Sequence, residues 1–246
     1  MSPIVFPPMS AAQTQAWQAL IELGARFDAG WTLVGGQLVH LHCRERGASP
    51  SRPTDDGDAA LDVRAHPDIL RNFTDALLDL GFVSDTPSAL RVQHRWVRDL
   101  AVIDVLIPRH LGERASSRRG AGGQRTIAAP GAQGALDRTE RVEVTVAGRT
   151  GEVPRPTLVG AIAAKAAALE IADDPRWKRH VQDLVILSTL IRRGDDFTVY
   201  STRDFQRVRN AIGRTVADPS IAAPLDGAAD GIARLRLALD SAEHLR

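Results

Sequence analysis

The apolar residues of this chain change their spacing once, at about Pro156, and that change limits the folds open to it. Upstream they come in short runs: Trp31 to Val34, Ala59 to Val63, His94 to Val97, Ala101 to Ile107, Val142 to Val146 and Gly151 to Val153. Runs of that length, bounded by Gly, Pro and Asp, read as strands, and the last two pairs as hairpins. Downstream the apolar positions recur at helical spacing. Leu158, Ile162, Lys165 and Leu169 share one face, and Trp177, Val181, Leu184 and Ile191 another. Ser201 with Asp204 opens a third helix, and Ile232, Leu235 and Leu239 lie in a fourth. Strands followed by helices imply an α+β fold: a mixed α/β domain over 1–155 and a helical lobe over 156–246.

The first half has helices of its own. Ser10 with Gln13 forms a capping box, after which Trp17, Leu20, Ile21 and Gly24 lie on one face. Ile69, Phe73, Ala76, Leu77 and Leu80 follow Pro67 at helical spacing and stop at Gly81. Gly35-Gly36 is expected as a tight turn, 37–42 as a short helix, and 45–58 as a loop. Arg109 to Gly134 has almost no large apolar residue and is expected to be one long mobile loop.

Composition excludes several classes. The chain has 246 residues, 43% of them hydrophobic, and a formal net charge of +1, which suits a buried core and gives no global pull toward nucleic acid. No stretch approaches the roughly 18 apolar residues of a membrane span, and the first ten residues lack the basic and apolar regions of a signal peptide. A cytoplasmic location and no membrane partner are therefore expected. Cys43 is the single cysteine, which rules out an internal disulfide and a cysteine-cluster zinc site and leaves nearby His40 and His42 as structural residues.

The chemistry concentrates in three places. Asp56 and Asp58 stand at i and i+2, so on an extended segment their carboxylates point the same way. Asp104 interrupts the apolar run Val102-Ile103-Asp104-Val105-Leu106, where an acid is costly unless it is paired or binds a cation. Three carboxylates on neighbouring strands would make a hard-oxygen site for Mg²⁺ or Mn²⁺. Gly35-Gly36 lets backbone N–H groups come close to phosphates. Together these parts describe metal-assisted nucleotidyl transfer, with one metal at the attacking oxygen and one at the leaving pyrophosphate. Asp62 shares the parity of Asp56 and Asp58 but falls at the exit of the strand.

At these residues the chain resembles the polymerase-β nucleotidyltransferase superfamily. Within it, the chain is most similar to the AbiEii-type toxins of bacterial toxin–antitoxin and phage-defence pairs. The resemblance runs over roughly residues 30 to 190. It rests on Gly35-Gly36, on Arg52-x-Thr54-x-Asp56-x-Asp58, on Asp104, and on Lys165 followed by Asp183 in a helix that turns leucine-rich. It implies a nucleoside triphosphate substrate with Mg²⁺ and a hydroxyl acceptor, which in that branch includes the 3′ end of tRNA, and a cognate antitoxin as protein partner. It assigns Asp56, Asp58 and Asp104 to metal, with Asp104 also able to activate the acceptor. Gly35, Gly36, Arg52, Thr54 and Lys165 are assigned to the nucleotide, and Lys165 with its companion Asp183 joins the three aspartates among the expected catalytic residues.

Two other functions are open. Transfer to a small molecule such as an aminoglycoside is one, as other members of the superfamily do. A catalytically inactive scaffold that binds a partner protein is the other. Its motivation is Gly57, which replaces the usual apolar residue between the aspartates, and Gln37, which replaces the Ser or Thr after Gly-Gly. Arg109, Arg114, Arg118, Arg119 and Arg125 could follow an RNA or triphosphate backbone, or belong to a plain surface loop.

Overall fold

The computed structural model describes residues 2–50, 52–85 and 92–245. The chain divides into two compact units, Met1–Leu38 with Thr54–Pro156, and Val39–Pro53 with Thr157–Arg246.

The first unit carries β1 (Ile4–Val5), α1 (Ala11–Arg26), β2 (Trp31–Val34), the first residues of α2 (Gly35–Arg46), β3 (Asp56–Leu61), α3 (Ile69–Asp79) and β4 (Val83–Ser84). It continues through β5 (Arg95–Arg98), β6 (Ala101–Pro108), α4 (Glu113–Ser116), β7 (Ile127–Ala129), α5 (Ala132–Leu136), β8 (Thr139–Val146) and β9 (Arg149–Pro156). One mixed sheet has the order β2-β3-β6-β5-β4, with β7 added to β6, and a second sheet has the order β1-β8-β9. The capping box forms as expected, with the Ser10 hydroxyl accepting from Gln13 N–H. Ala147 and Gly148 both have positive φ, 49° and 80°, the geometry a two-residue hairpin turn requires, and they close β8 onto β9. Trp17, Leu20 and Leu23 of α1, Leu33 of β2, Phe73 of α3 and Trp96 of β5 are fully buried. Gly24 permits α1 to touch β9, because a Cβ there would stand 2.0 Å from the Glu152 carbonyl oxygen.

The second unit holds the rest of α2 with α6 (Leu158–Ala168), α7 (Trp177–Thr189), α8 (Thr202–Ala217) and α9 (Ala228–His244). Thr157 and Ser201 cap α6 and α8 with their hydroxyls. The Tyr200 hydroxyl donates to the Val159 carbonyl at 2.8 Å. Among the described residues no helix is long and apolar enough to cross a membrane.

Three expectations need correction. Residues 109–134 are not one loop, since α4 and β7 lie within them and α5 begins at Ala132, and Leu106↔Ile127 begins a parallel pairing of β7 with β6. Gly35-Gly36 is not a free turn but the start of α2, which runs to Arg46 rather than stopping at 42. The segment Val39–Pro53, expected in the first domain, belongs to the helical unit. There Arg46 makes a bidentate pair with Asp195 at 2.6 and 2.7 Å and donates to the Leu190 carbonyl at 2.8 Å. Those partners lie more than 140 residues away in sequence, beyond the reach of local pattern.

Gly57 lies in regular strand, and its position has a packing reason. A Cβ there would meet Ile103 Cδ1 at 3.0 Å and Leu20 Cδ1 at 3.2 Å. Helix α1 thus fills the space that an apolar side chain would take. Gly57→Val should lower unfolding stability by about 1–3 kcal/mol through overpacking. Leu20→Ala in the same chain should recover part of that loss, as read from denaturant midpoints.

Candidate active site

In the first unit, register gathers the acids. Strand β3 pairs parallel with β6 so that Asp58 stands opposite Asp104, and β5 pairs antiparallel with β6 so that Arg95 stands opposite Asp104. Asp56, two residues before Asp58, shares its face. Glycines bring α2 against this row. Gly35 has φ +72°, and a Cβ on it would lie 1.8 Å from Asp58 Oδ2. Any side chain at 35 would therefore displace the aspartate or the helix start. A Cβ on Gly36 would lie 2.5 Å from Thr54 Oγ1, and Thr54 donates to Asp56 Oδ1 at 2.8 Å. The first turn of α2 thus begins beside Asp58 and beside the Thr54 that orients Asp56.

Gln37 does not face this site. It is fully buried, accepts from Trp17 Nε1 at 2.8 Å and donates to the Thr54 carbonyl at 2.8 Å. Gln13 Nε2 donates to the same carbonyl, and the Ser10 hydroxyl donates to Asp55. The residue that departs from the Ser/Thr pattern is therefore a clamp. It ties α1 and α2 to the segment that presents Asp56.

Arg95 was not foreseen, and it changes the reading of Asp104. Arg95 Nε donates to Asp104 Oδ1 at 2.9 Å and Nη2 to Oδ2 at 2.6 Å, while Nη2 stands 3.8 Å from Asp56 Oδ2. The hydrogen bond to Asp104, then the charges of Asp104, Asp56 and Asp58, hold the guanidinium even more firmly protonated than usual. Both Asp104 oxygens are thus engaged by a cation of the chain itself, where the sequence suggested a metal ligand or base. Among the described residues no group of three or more His, Cys, Asp or Glu side chains is gathered so as to hold a metal ion. Asp56 and Asp58 remain hard-oxygen donors on one face, a donor pair that suits Mg²⁺ or Mn²⁺. The signal for Arg95 was present in the hairpin. Arg98 pairs with Ala101, and three residues outward on each strand are Arg95 and Asp104. Asp62 is outside β3, and its carboxylate accepts from the N–H groups of Arg64 and Ala65.

The second unit places Arg52, Lys165 and Asp183 together. Lys165 is 5% exposed, and its ammonium donates to Asp183 Oδ2 at 2.7 Å, while Arg52 Nη2 donates to the same oxygen at 3.0 Å. Burial pushes the Asp183 carboxyl upward, but the charges of Lys165 and Arg52 outweigh it and hold the group below the ordinary aspartate range. Lys165, expected at a triphosphate, is committed to a buried ion pair. His40 Nε2 lies 2.8 Å from the Arg52 carbonyl, and burial lowers its pKa; burial and then Lys165 lower that of His180. Burial pushes the Cys43 thiol up to about 12, so it is no nucleophile.

Searches with known protein-family models and with curated protein sequences find no match. The structure does match. An antigenic nucleotidyltransferase-like protein from Paracoccidioides brasiliensis superposes with a TM-score of 0.51 at 15% identity, over 89% of this chain and 94% of its own. The fold is that of a nucleotidyltransferase-like protein. Two structures of the antibiotic-resistance factor ANT(2″)-Ia also align. One is a solution structure, at TM-score 0.43 and 14% identity over 85% of this chain and 96% of its own. The other is a complex with adenylyl-2″-tobramycin, at 0.44 and 12% over 83% and 99%.

The two lowered histidines set a pH dependence. In the fold each takes up its proton at lower pH than in the unfolded chain, where the ordinary value is 6.5. Protonation then favours the unfolded chain, so stability is lost as pH falls through about 6.5 and below. Urea midpoints should drop between pH 7 and pH 5, and His40→Gln with His180→Gln should flatten that slope.

Proposed function

We propose that the protein transfers a nucleoside monophosphate from a nucleoside triphosphate to a hydroxyl acceptor. The observation that carries this reading is the carboxylate face of the first unit. There Asp56 and Asp58 lie on one side of β3 beside the glycine start of α2, within a nucleotidyltransferase-like fold.

Asp56 and Asp58 would hold a divalent cation, Mg²⁺ or Mn²⁺. Bound there, it would supply Lewis-acid neutralisation of the triphosphate and lower the pKa of the attacking hydroxyl. The chain's own residues then position the reactants. Gly35 and Gly36 keep the start of α2 free of side chains, so that phosphate oxygens can meet backbone N–H groups. Thr54 orients Asp56 through its hydroxyl. The acceptor oxygen forms a bond to the α-phosphorus as the bond to the β-phosphate bridging oxygen breaks. Pyrophosphate leaves with that electron pair, and the acceptor proton passes to solvent. Lys165 and Asp183 enter as the ion pair that holds Arg52, rather than as phosphate ligands.

The acceptor we propose is an RNA 3′ end, with tRNA as the first candidate, in a protein that acts as the toxin of a toxin–antitoxin pair. Support for this finer reading comes from the resemblance at Arg52, Thr54, Asp56 and Asp58 and from the five arginines between Arg109 and Arg125.

The test is label transfer with Mg²⁺, each α-labelled nucleoside triphosphate in turn, and total tRNA. Label should appear on RNA and vanish in Asp58→Asn. Label that reaches only an added aminoglycoside would replace the RNA acceptor by a small molecule. Neither label nor triphosphate binding would sink the transferase reading and leave a scaffold.

A further inference from the structure

The carboxylate face already contains a cation. Three adjacent strands place Asp58, Asp104 and Arg95 in one row, and the Arg95 side chain reaches from Asp104 to Asp56. The contact with Asp104 is bidentate, fork against carboxylate, at 2.9 and 2.6 Å. That is the strongest geometry available to the pair and the one most selective for arginine. The Asp104 side chain is 11% exposed, so its charge needs a fixed partner more than the 40% exposed Asp56 does.

We infer that Arg95 stands in for a second divalent cation, so that this face binds one Mg²⁺ or Mn²⁺, through Asp56 and Asp58, and not two. The donor count agrees. A second site would have to share Asp104, whose two oxygens both accept from Arg95, and no three-acid group is gathered here among the described residues. In the transfer reaction the guanidinium then supplies fixed positive charge at the place where a mobile metal would otherwise sit. Asp104 positions Arg95 instead of ligating metal or taking a proton. This inference rests on reading the face as the site of nucleotidyl transfer.

Mn²⁺ binding to the full chain tests it without any turnover. The readout is electron paramagnetic resonance titration with a non-hydrolysable α,β-methylene triphosphate present. The wild type should bind one Mn²⁺. Arg95→Ala should bind two, and Arg95→Ala with Asp104→Asn should return to one. Asp104→Asn alone covers the case in which Arg95→Ala does not fold, and it should leave Mn²⁺ affinity within about twofold. Two ions in the wild type, no second ion in a folded Arg95→Ala, or a tenfold or greater loss of affinity in Asp104→Asn would each overturn the inference. The failures are separable. One bound Mn²⁺ without label transfer would sink the reaction and keep the single-ion site. Transfer with two bound ions would do the reverse.

Discussion

A carboxylate in the middle of an apolar strand needs a permanent cation, and the first unit is arranged around that need. Asp104 lies between Ile103 and Val105, both fully buried, on the strand that β3, β5 and β7 all pair with. An ionised acid in that position is tolerated only when a charged donor meets it with good geometry. Arg95 does so, and it can because the β5–β6 hairpin register puts it directly opposite. The same register on the other side sets Asp58 beside Asp104 and presents Asp56 on the same face. Removing Arg95 would leave a buried charge unmatched, so the pair serves folding as well as the chemistry proposed for it.

The glycines around the row serve the same end. Gly35 and Gly36 bring the start of α2 to within contact of Asp58 and Thr54, and Gly57 lets Leu20 press on the back of β3. Gln37 and Gln13 then fix the Thr54 carbonyl. The acids are thereby held by rigid elements rather than by loops, which is what the proposed site would require. The helical unit meets the same physical demand with other residues. Asp183, nearly fully buried, is satisfied by Lys165 and Arg52 at one oxygen. Of the two lysines in the chain, the one that resemblance assigns to phosphate is the one buried on an aspartate.

Much of this architecture was legible in the residues because its causes are local. The capping box at Ser10, the two hairpins and the four C-terminal helices follow from spacing and caps that lie within a few residues of one another. The parity of Asp56 and Asp58 follows from the pleat of a strand. What was not legible depends on partners far away in sequence. Strand β7 is three residues long and gains its identity from β6, and Val39–Pro53 joins the helical unit through Arg46 and Arg52, whose partners are Asp195 and Asp183. Gln37 looked like a lost hydroxyl because its real partner, Trp17, is on another helix. Arg95 lay between the two kinds. Its pairing follows from counting outward along a hairpin that the sequence had already suggested, but arginine in a strand gives no signal by itself.

The most direct measurement is a crystal structure of the full chain with Mn²⁺ and a non-hydrolysable nucleoside triphosphate, with the ions located by anomalous scattering. The account predicts one manganese peak between Asp56 and Asp58, phosphate oxygens against the start of α2 at Gly35 and Gly36, and Arg95 still bidentate on Asp104. Manganese ligated by Asp104 with Arg95 displaced, or a triphosphate bound away from Gly35 and Gly36, would contradict it.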